Sequence, residues 1–198
     1  MDTNQEWNIN AIFKAPDSLE AADVYKHYYK QLYNYGRKLT DNTSLIEDAI
    51  HDVFISMWQA HSRNSDLDTN RSYLYSSFRR KLFRYHQEAV KRMQREERAM
   101  FSSVPEFGAD HFIIHREQDE QLKVTILQAL QQLTPRQREA VYLRFYENMQ
   151  YDEIAAVMDI SVKATYKLMA RALDELKQLV NLPFYLLLPM LRLLFIKQ

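Results

Sequence analysis

Three groups of side chains could carry chemistry: histidines beside carboxylates, carboxylates along one side of a helix, and basic residues mixed with aromatic rings. His51 stands between Asp48 and Asp52, a set that could ligate a metal ion from one helix. Its spacing is not HExxH, however, and no second cluster in the sequence has metal-ligand spacing. His111 and His115 lie four residues apart but within a predicted linker. We therefore predict no metal site and no cofactor.

The sequence lacks the usual signatures of catalysis. It has no glycine-rich phosphate loop and no G-x-S-x-G nucleophile elbow. Without cysteine it can form neither disulfides nor thiolate metal sites, which suits a reducing compartment. The N-terminal stretch MDTNQEWNINAIFKAP has no basic segment followed by an apolar one, as a signal peptide would. We predict a cytoplasmic protein that is not an enzyme.

Acidic side chains share one side of a predicted helix that starts at residues 44–47. The buried side is predicted to contain Ile46, Ala49, Ile50, Val53, Phe54, Met57 and Trp58. The opposite side carries Glu47, Asp48, His51, Asp52 and Gln59. From the residues alone, this opposite side is either a solvated surface or a binding surface for a basic partner.

Basic and aromatic side chains are interleaved on the next predicted helix, which begins near Ser72 and extends as far as Met100. Its predicted buried stripe is Leu74, Phe78, Leu82, Tyr85 and Ala89. From Arg71 to Arg98 there are nine lysines and arginines against three glutamates, a local excess of six positive charges. Basic groups attract phosphate, and flat rings stack on unpaired nucleotide bases. The pattern indicates either a platform for single-stranded nucleic acid or a helix with solvated arginines and inward-packed tyrosines.

The composition predicts an almost entirely helical chain. Only two glycines and five prolines interrupt 198 residues, and strong β runs are absent. The first long helix follows residues 17–20, which resemble a capping box, and its apolar stripe is Val24, Tyr28, Leu32, Tyr35 and Leu39. Gly36 is a mild flaw in that helix. Residues 59–71 are polar and aperiodic, and are predicted to form a loop.

The stretch from Leu133 to Leu176 has the pattern of a helix-turn-helix unit. Residues 134–137 predict a capped helix start, with proline in the first turn. Residues 151–158 form a predicted short helix that Asp159 ends, and Ser161 can cap the long helix that follows. The predicted core positions of that helix are Val162, Thr165, Leu168, Met169, Ala172, Leu173 and Leu176. A helix in this position fits the major groove of DNA.

Two other segments differ in composition from the helical stretches. Residues 101–116 contain a serine pair, Pro105 and Gly108, and are predicted to be a flexible linker. Residues 182–198 are strongly apolar, but the run 182–196 would extend only about 22 Å as a helix, short of a hydrocarbon core of about 30 Å. Three interpretations stay open: the tail masks a binding surface, adds to a core, or contacts a membrane interface.

Four stretches in order resemble bacterial RNA polymerase sigma factors of the sigma-70 class, in the short extracytoplasmic-function (ECF) group. YKHYYKQLYNYGRKLT, residues 25–40, is similar to the first helix of sigma domain 2. EDAIHDVFISMW, residues 47–58, resembles the helix that binds the polymerase clamp. SYLYSSFRRKLFRYH, residues 72–86, resembles the helix of the minus-10 region, and Leu133–Leu176 resembles sigma domain 4. Together they cover roughly residues 20–180.

The resemblance implies an all-α fold in which a helical bundle and a helix-turn-helix domain are joined by a flexible linker. Residues 1–17 would be an N-terminal arm, and residues 18–100 would form sigma domain 2. Residues 101–116 would be the linker and residues 117–181 sigma domain 4. Residues 182–198 would be an apolar extension beyond the usual end of the family.

The resemblance also assigns roles to individual side chains. The polymerase-binding residues would be Glu47, Asp48, His51 and Asp52. Minus-10 DNA, with one base flipped into a loop, would be bound by Ser62, Arg63, Asn64, Asn70, Tyr73, Tyr75, Arg79, Arg80 and Arg84. Minus-35 DNA would be bound by Ser161, Lys163, Ala164, Tyr166, Lys167 and Arg171. The family often has Asn and Asp at the positions of Arg80 and Arg84, a Ser or Thr cap in place of Gln150, and a small residue or glycine in place of Asp159.

By this resemblance the protein directs core RNA polymerase to promoters, binds their minus-35 and minus-10 elements and helps to open the DNA. Its expected partners are core polymerase, through the β′ clamp helices and the β flap, promoter DNA, and an anti-sigma factor. Membrane contact would occur only through the anti-sigma factor or weakly through the tail. The sequence leaves two alternatives: a helix-turn-helix regulator similar to the response-regulator output class, and a helical adaptor that binds polymerase without reading DNA.

Overall fold

Eight α-helices form in the part of the chain that the structure describes, residues 8–14, 18–64, 69–96 and 120–180 of a computed structural model. They are α1 (Asn10–Lys14), α2 (Leu19–Leu39), α3 (Thr43–Arg63), α4 (Arg71–Glu96), α5 (Glu120–Gln132), α6 (Pro135–Phe145), α7 (Tyr151–Met158) and α8 (Val162–Val180). These ranges contain no strand, so the all-α prediction is confirmed. The predicted linker and the apolar tail lie outside them.

The chain divides into two compact units, Met1–Pro105 and Glu106–Gln198, called here the N-terminal and C-terminal units. In the N-terminal unit, α2, α3 and α4 pack on one another, and the short α1 lies against α2 and α3. In the C-terminal unit, α5, α6 and α7 all contact α8. Among the described helices, none combines the length and apolarity needed to cross a membrane.

Helix α2 begins where the sequence predicted because Ser18 caps it. The Ser18 hydroxyl accepts a hydrogen bond from the Ala21 backbone N–H at 3.0 Å. All five positions of the predicted apolar stripe are buried: Val24, Tyr28, Leu32, Tyr35 and Leu39. The 3-4 spacing therefore defined the buried face of this helix correctly.

Helix α3 begins earlier than predicted and buries a slightly different set of residues. Its cap is Asn42, whose side chain accepts a hydrogen bond from the Leu45 N–H at 3.2 Å, so Ser44 lies inside the helix. Of the seven residues predicted to be buried, six are: Ile46, Ala49, Ile50, Val53, Phe54 and Met57. Trp58 is 55% exposed, so the prediction for this residue was wrong. An aromatic side chain one position beyond Met57 is rotated about 100° away from the core.

The end of α3 also differs from the sequence prediction. The helix continues to Arg63, into the first part of the predicted loop. It does so because His61 is buried in its last turn, where the ring stacks on Phe13 of α1 at 4.2 Å between centroids. This contact joins residues that are far apart in the chain, so the local pattern around residue 61 did not reveal it.

Gly36 is a packing residue rather than a flaw in α2. A Cβ at this position would lie 2.7 Å from Ile46 Cγ2 and 3.0 Å from Phe78 Cζ. Both neighbours are fully buried side chains, one on α3 and one on α4. The missing side chain is therefore what lets three helices approach at one point.

The C-terminal unit closely follows its sequence pattern. Thr134 caps α6 in a capping box with Gln137, and Pro135 occupies the first turn, as predicted. In α8, five of the predicted core positions are buried: Thr165, Met169, Ala172, Leu173 and Leu176. Leu168 is half-buried. Val162 is 44% exposed and is not a core residue, because it lies in the first turn, before α8 reaches its neighbours.

We expect Gly36→Ala to destabilise the N-terminal unit by about 1–3 kcal/mol, through overpacking against Ile46 and Phe78. At an exposed helical site the same change would stabilise by about 1 kcal/mol. A decrease in the free energy of unfolding would therefore identify overpacking as the cause. Urea unfolding of the two proteins measures the difference. Lys30→Ala, at an exposed position of the same helix, should change the free energy of unfolding by less than about 0.5 kcal/mol. A Gly36→Ala variant as stable as the parent would contradict the close packing.

Candidate nucleic-acid interface

The predicted polymerase-binding residues do not all face the same way. Glu47, Asp48 and His51 are exposed on the outer side of α3. Ile55 (52% exposed) and Trp58 continue this side along the helix at the spacing of successive turns. We call these five residues the outer face of α3. The prediction missed its apolar part because Trp58 was expected to pack inward and Ile55 was assigned to neither side.

Asp52 lies at the border of α3 and α4 and is engaged within the unit. The Tyr85 hydroxyl donates a hydrogen bond to its carboxylate, and Lys81 Nζ lies 3.3 Å from Asp52 Oδ2. Lys81 also donates to the Asp52 carbonyl at 2.7 Å and to the Ser56 hydroxyl at 3.0 Å. We call Asp52, Ser56, Lys81 and Tyr85 the polar seam. Asp52 therefore joins α3 to α4 rather than standing free for a partner.

The polar seam shifts the titration of its own members. The hydrogen bond from Tyr85, with help from Lys81, holds the pKa of Asp52 below its ordinary value. The same hydrogen bond raises the pKa of Tyr85, because the neutral phenol is the donor and the adjacent carboxylate disfavours a phenolate. Beside the seam is a groove of about 470 Å³ whose lining includes Asp48, His51, Glu88 and Arg92. Its lining therefore carries both signs of charge.

The predicted minus-10 residues next to the loop are exposed but serve partly as helix ends. Ser62 and Arg63 belong to the last turn of α3, and Asn64 follows as its C-cap. The Asn70 side chain accepts hydrogen bonds from the Tyr73 N–H at 2.8 Å and the Ser72 hydroxyl at 2.9 Å, so it caps α4. Residues 65–68 of the predicted loop lie outside the described residues.

One side of α4 carries three of the predicted minus-10 residues together. Tyr73 (50% exposed), Arg80 and Arg84 share this side, since their spacings of seven and four residues correspond to nearly whole turns. Arg79 lies on an adjacent side, with its guanidinium over the Phe83 ring at 4.7 Å. We call Tyr73, Arg80 and Arg84 the outer face of α4.

Tyr75 does not belong to this surface, and its prediction as a DNA-binding residue was wrong. It is 0% exposed, and its hydroxyl donates to Gln31 Oε1 on α2 at 3.1 Å. Its ring packs on Tyr35, with the centroids 5.5 Å apart. Two residues after Tyr73, its side chain points to the core side of the helix. The aromatic character that suggested stacking on DNA instead fills the bundle.

The turn between α7 and α8 has the geometry that a helix-turn-helix needs. Asp159 adopts the left-handed conformation, with φ 54° and ψ 53°, and ends α7. The Ser161 hydroxyl accepts a hydrogen bond from the Ala164 N–H at 3.2 Å and caps α8. Gln150 begins α7, supported by Glu153, whose carboxylate accepts from the Gln150 N–H at 2.7 Å. The two departures from the family in this unit, Gln150 and Asp159, therefore still form a helix start and a left-handed turn.

The predicted minus-35 residues lie together on the solvent side of α8. Ser161, Lys163, Tyr166, Lys167 and Arg171 are exposed, and Ala164 is half-buried at the edge of the set. Tyr166 stacks on Tyr151 of α7 with the centroids 4.2 Å apart. The Arg144 guanidinium lies 5.1 Å from the Tyr151 ring centre. Neither Tyr151 nor Arg144 was predicted, because neither is on α8, and only the folded unit brings Tyr151 against Tyr166 and Arg144 against Tyr151.

Within the described residues, no group of three or more histidines and carboxylates could hold a metal ion.

Two family models match the chain. The model described as "Sigma-70 region 2" matches residues 24–92, and the model described as "Sigma-70, region 4" matches residues 123–176. No curated protein sequence matched. Among solved structures, the chain is similar to the sigma factor RpoE of Bartonella quintana, crystallised in complex with the anti-sigma factor NepR. The sequences are 18% identical, the match covers 81% of this chain and 96% of the other, and the TM-score is 0.55, which shows a shared fold.

We expect Tyr85→Phe to lower the free energy of unfolding by about 1 kcal/mol at neutral pH, since it removes the hydrogen bond to Asp52. Asp52, with its lowered pKa, loses this stabilisation as the pH falls below its ordinary value of 3.8. Tyr85, with its raised pKa, loses it as the pH rises above its ordinary value of 10.0. Denaturant unfolding from pH 3 to 11 measures the difference in free energy of unfolding between variant and parent. This difference should be constant around neutral pH and should become smaller toward both pH 3 and pH 11. Tyr73→Phe, at an exposed position of the same helix, is the control. A difference independent of pH would contradict the polar seam.

Asp159 provides a separate test of the turn. Replacing it by alanine should cost about 1 kcal/mol, because alanine disfavours a positive φ, whereas glycine should be neutral or stabilising. Thermal unfolding of the two variants measures the order of stability, with Asp174→Ala, exposed on α8, as the control. If alanine and glycine were equally tolerated, the left-handed turn would not constrain this unit.

Proposed function

Because this chain belongs to the sigma-70 family, as a factor of the extracytoplasmic-function type that acts in transcription initiation, we propose how its two units divide that work. Residues 18–100 bind core RNA polymerase and the minus-10 element. Residues 117–181 bind the minus-35 element. The matches to both family regions, in order along the chain, decide against the regulator and adaptor alternatives.

Binding to core polymerase is assigned to the outer face of α3. Glu47 and Asp48 present carboxylates to solvent, and carboxylates that face a basic partner gain charge-assisted hydrogen bonds. Ile55 and Trp58 add apolar area beside them, and exposed tryptophans are enriched among residues that dominate binding. The partner surface is the β′ clamp helices. Asp52 contributes indirectly, because it is held in the polar seam.

Binding to the minus-10 strand is assigned to the outer face of α4. Tyr73 offers a ring for stacking, and Arg80 and Arg84 offer positive charge to the phosphates. Ser62, Arg63 and Asn64 lie at the end of α3 next to the loop that would receive a flipped base, and Arg79 is at the side. Trapping one unpaired base in this way favours opened DNA over the duplex.

Binding to the minus-35 duplex is assigned to the solvent side of α8, where Lys163 and Lys167 are one turn apart. Arg171 continues this basic stripe toward the phosphates. Tyr166 is held by its stack on Tyr151, so it meets DNA as a rigid group. The second partner surface on polymerase, the β flap, would hold this unit in place. Both units are then tethered to core polymerase, so their spacing selects promoters by the distance between the minus-35 and minus-10 elements.

The proposed activity needs no cofactor and no catalytic residue, and takes place in the cytoplasm, where polymerase and DNA are. An anti-sigma factor is proposed as a third partner, because the structurally similar RpoE was crystallised with one. Its binding would compete with polymerase or DNA for the surfaces described above.

The test is transcription by purified core polymerase with the full-length chain. We expect the holoenzyme to initiate at defined promoters, and Asp48→Lys to weaken core binding about tenfold or more. Lys163→Ala with Lys167→Ala should leave core binding unchanged, weaken minus-35 duplex binding and reduce its salt dependence. Core affinity is measured by fluorescence titration, and DNA affinity by anisotropy at several salt concentrations.

Matched controls separate these surfaces from general effects of charge. Asp23→Lys makes the same charge change as Asp48→Lys at an exposed position of a different helix, α2, and should bind core normally. Lys177→Ala is the control for the lysine variants, because it removes a lysine of α8 about 21 Å from Lys163 along the helix. If the parent chain supports no initiation while a control sigma factor does, the proposed function is wrong. If Asp23→Lys and Asp48→Lys behave alike, the outer face of α3 is not the polymerase surface.

A further inference from the structure

Three helices of the C-terminal unit each contribute one side chain to a single stack. Arg144 lies in the last turn of α6, Tyr151 is the first residue of α7, and Tyr166 is on α8. The Arg144 guanidinium lies over the Tyr151 ring, 5.1 Å from its centre. The rings of Tyr151 and Tyr166 are stacked, with 4.2 Å between their centroids and 29° between their planes. Cation–π attraction and ring stacking both favour this arrangement. We call these three residues the aromatic stack.

Arg144 fixes one end of the aromatic stack to the turn between α6 and α7. Its Nη1 donates hydrogen bonds to the Met149 carbonyl at 2.8 Å and to Gln150 Oε1 at 3.2 Å. Met149 is buried, and Gln150 is the N-cap of α7. The guanidinium is therefore held by the backbone of the turn, and the ring of Tyr151, the next residue, is held against it.

The other end of the aromatic stack is exposed on the side of α8 that is proposed to bind DNA. Tyr166 is 55% exposed even though its ring is stacked. Val162, one turn earlier in the helix, is 44% exposed. Lys163 and Lys167, each next to one of these residues in sequence, are exposed too. This side of α8 therefore presents apolar side chains among its basic ones, which attraction to phosphate alone would not require.

The chemistry of the major groove suggests what these apolar side chains would contact. The only alkyl group that a base pair presents there is the C5 methyl group of thymine, whereas the other features of the base edges are hydrogen-bond donors and acceptors. The N-terminal residues of a recognition helix are the ones that reach the base edges. Val162 and Tyr166 are the first and fifth residues of α8, so both are in this part of the helix.

We propose that Tyr166 is a specificity-determining residue, whose ring packs against the methyl group of one thymine in the minus-35 element, and that Tyr151 is the positioning residue that holds this ring. An exposed side chain normally loses rotational freedom when it binds, but a stacked ring has already lost that freedom on folding. The position of the ring is then fixed before DNA arrives, so its contact with the methyl group is tighter and more selective.

This inference rests on the proposed function and deepens it, because it names the base feature that the minus-35 surface reads. It also gives a part in DNA selectivity to α7, through Tyr151, although the sequence resemblance placed all the minus-35 residues at Ser161 and on α8. Tyr151 acts through Tyr166 and does not contact the base itself.

The test compares binding of the assembled holoenzyme to duplexes in which deoxyuridine, which lacks only the methyl group, replaces one thymine at a time. The duplex carries the minus-35 element of a promoter mapped with the parent holoenzyme, and every thymine of both strands is replaced in turn. We expect at least one position where the parent binds the thymine duplex about three- to fivefold more tightly than the uracil duplex, as for one buried methyl group. Anisotropy measures the affinities, and a thymine outside the element is replaced as a control.

Variants of the two tyrosines separate base recognition from stability. Tyr166→Ala should bind the thymine and uracil duplexes equally at this position. Tyr151→Ala should reduce the ratio of the two affinities to less than about twofold, although Tyr166 is still present. Tyr151→Phe and Tyr166→Phe keep both rings and should retain the ratio of the parent. A loss of stability, or of attraction to phosphate, would weaken both duplexes alike and leave their ratio unchanged.

Thermal unfolding and core affinity are measured for every variant. Tyr151→Leu replaces Tyr151→Ala if the alanine variant does not fold, since leucine keeps apolar volume but not the flat ring. The inference is wrong if the parent distinguishes thymine from uracil at no position, or if Tyr166→Ala or the folded Tyr151 variant without the ring keeps the ratio of the parent. A parent holoenzyme that initiates nowhere would instead overturn the proposed function itself, so the two failures are distinguishable.

Discussion

The packing of α4 on α3 is the constraint on which the N-terminal unit depends. Leu74, Phe78 and Leu82 are buried in this contact, and the polar seam closes it beyond them. Once the buried side of a helix is fixed, its rotation about its own axis is fixed too. The directions of the other side chains of α4 therefore follow from this contact. The outer face of α4 points to solvent because the opposite side is committed to the core. Gly36 belongs to the same constraint, since it lets α2 approach both helices.

The polar seam joins α3, whose exposed side carries acidic residues, to α4, whose exposed side is basic. Asp52 of α3 forms an ion pair with Lys81 and accepts a hydrogen bond from Tyr85, both on α4. The other acids of α3, Glu47 and Asp48, are exposed, and Asp48 lines the groove beside the seam together with Arg92 of α4. Acidic and basic groups of the two helices are therefore paired at the seam and adjacent at the groove, whereas Arg80 and Arg84 are exposed on the outer face of α4.

Much of the fold could be predicted from the sequence, because buried stripes with 3-4 spacing leave few alternatives for long helices. The predictions failed where a side chain suits two environments, or where the deciding contact is distant in the chain. Tyr75 and Trp58 are both aromatic, yet one fills the core and the other is exposed, and only their rotation around the helix decides. His61 is buried because Phe13 covers it.

The residue types of the candidate site could be predicted from the sequence, but the contacts that these residues make within the unit could not. The acids of α3 and the basic residues of α4 and α8 were predicted as groups, and most of them are exposed. Which of them already has an internal partner depends on geometry that the sequence does not contain. Asp52 was grouped with its neighbours by spacing alone, yet it faces a lysine and a tyrosine 29 and 33 positions away.

The zero net charge of the chain fits a protein whose DNA binding should depend on its partner. Long-range attraction to DNA scales with the total charge, whereas contact with phosphates depends on the local face. Here the basic faces of α4 and α8 are balanced by acids elsewhere, including the outer face of α3. When a basic partner covers that acidic face, the repulsion it exerts on DNA is removed at the same time. On the proposed function, polymerase binding therefore does more than tether the chain, because covering the acidic face of α3 also removes its repulsion of DNA beside the basic face of α4.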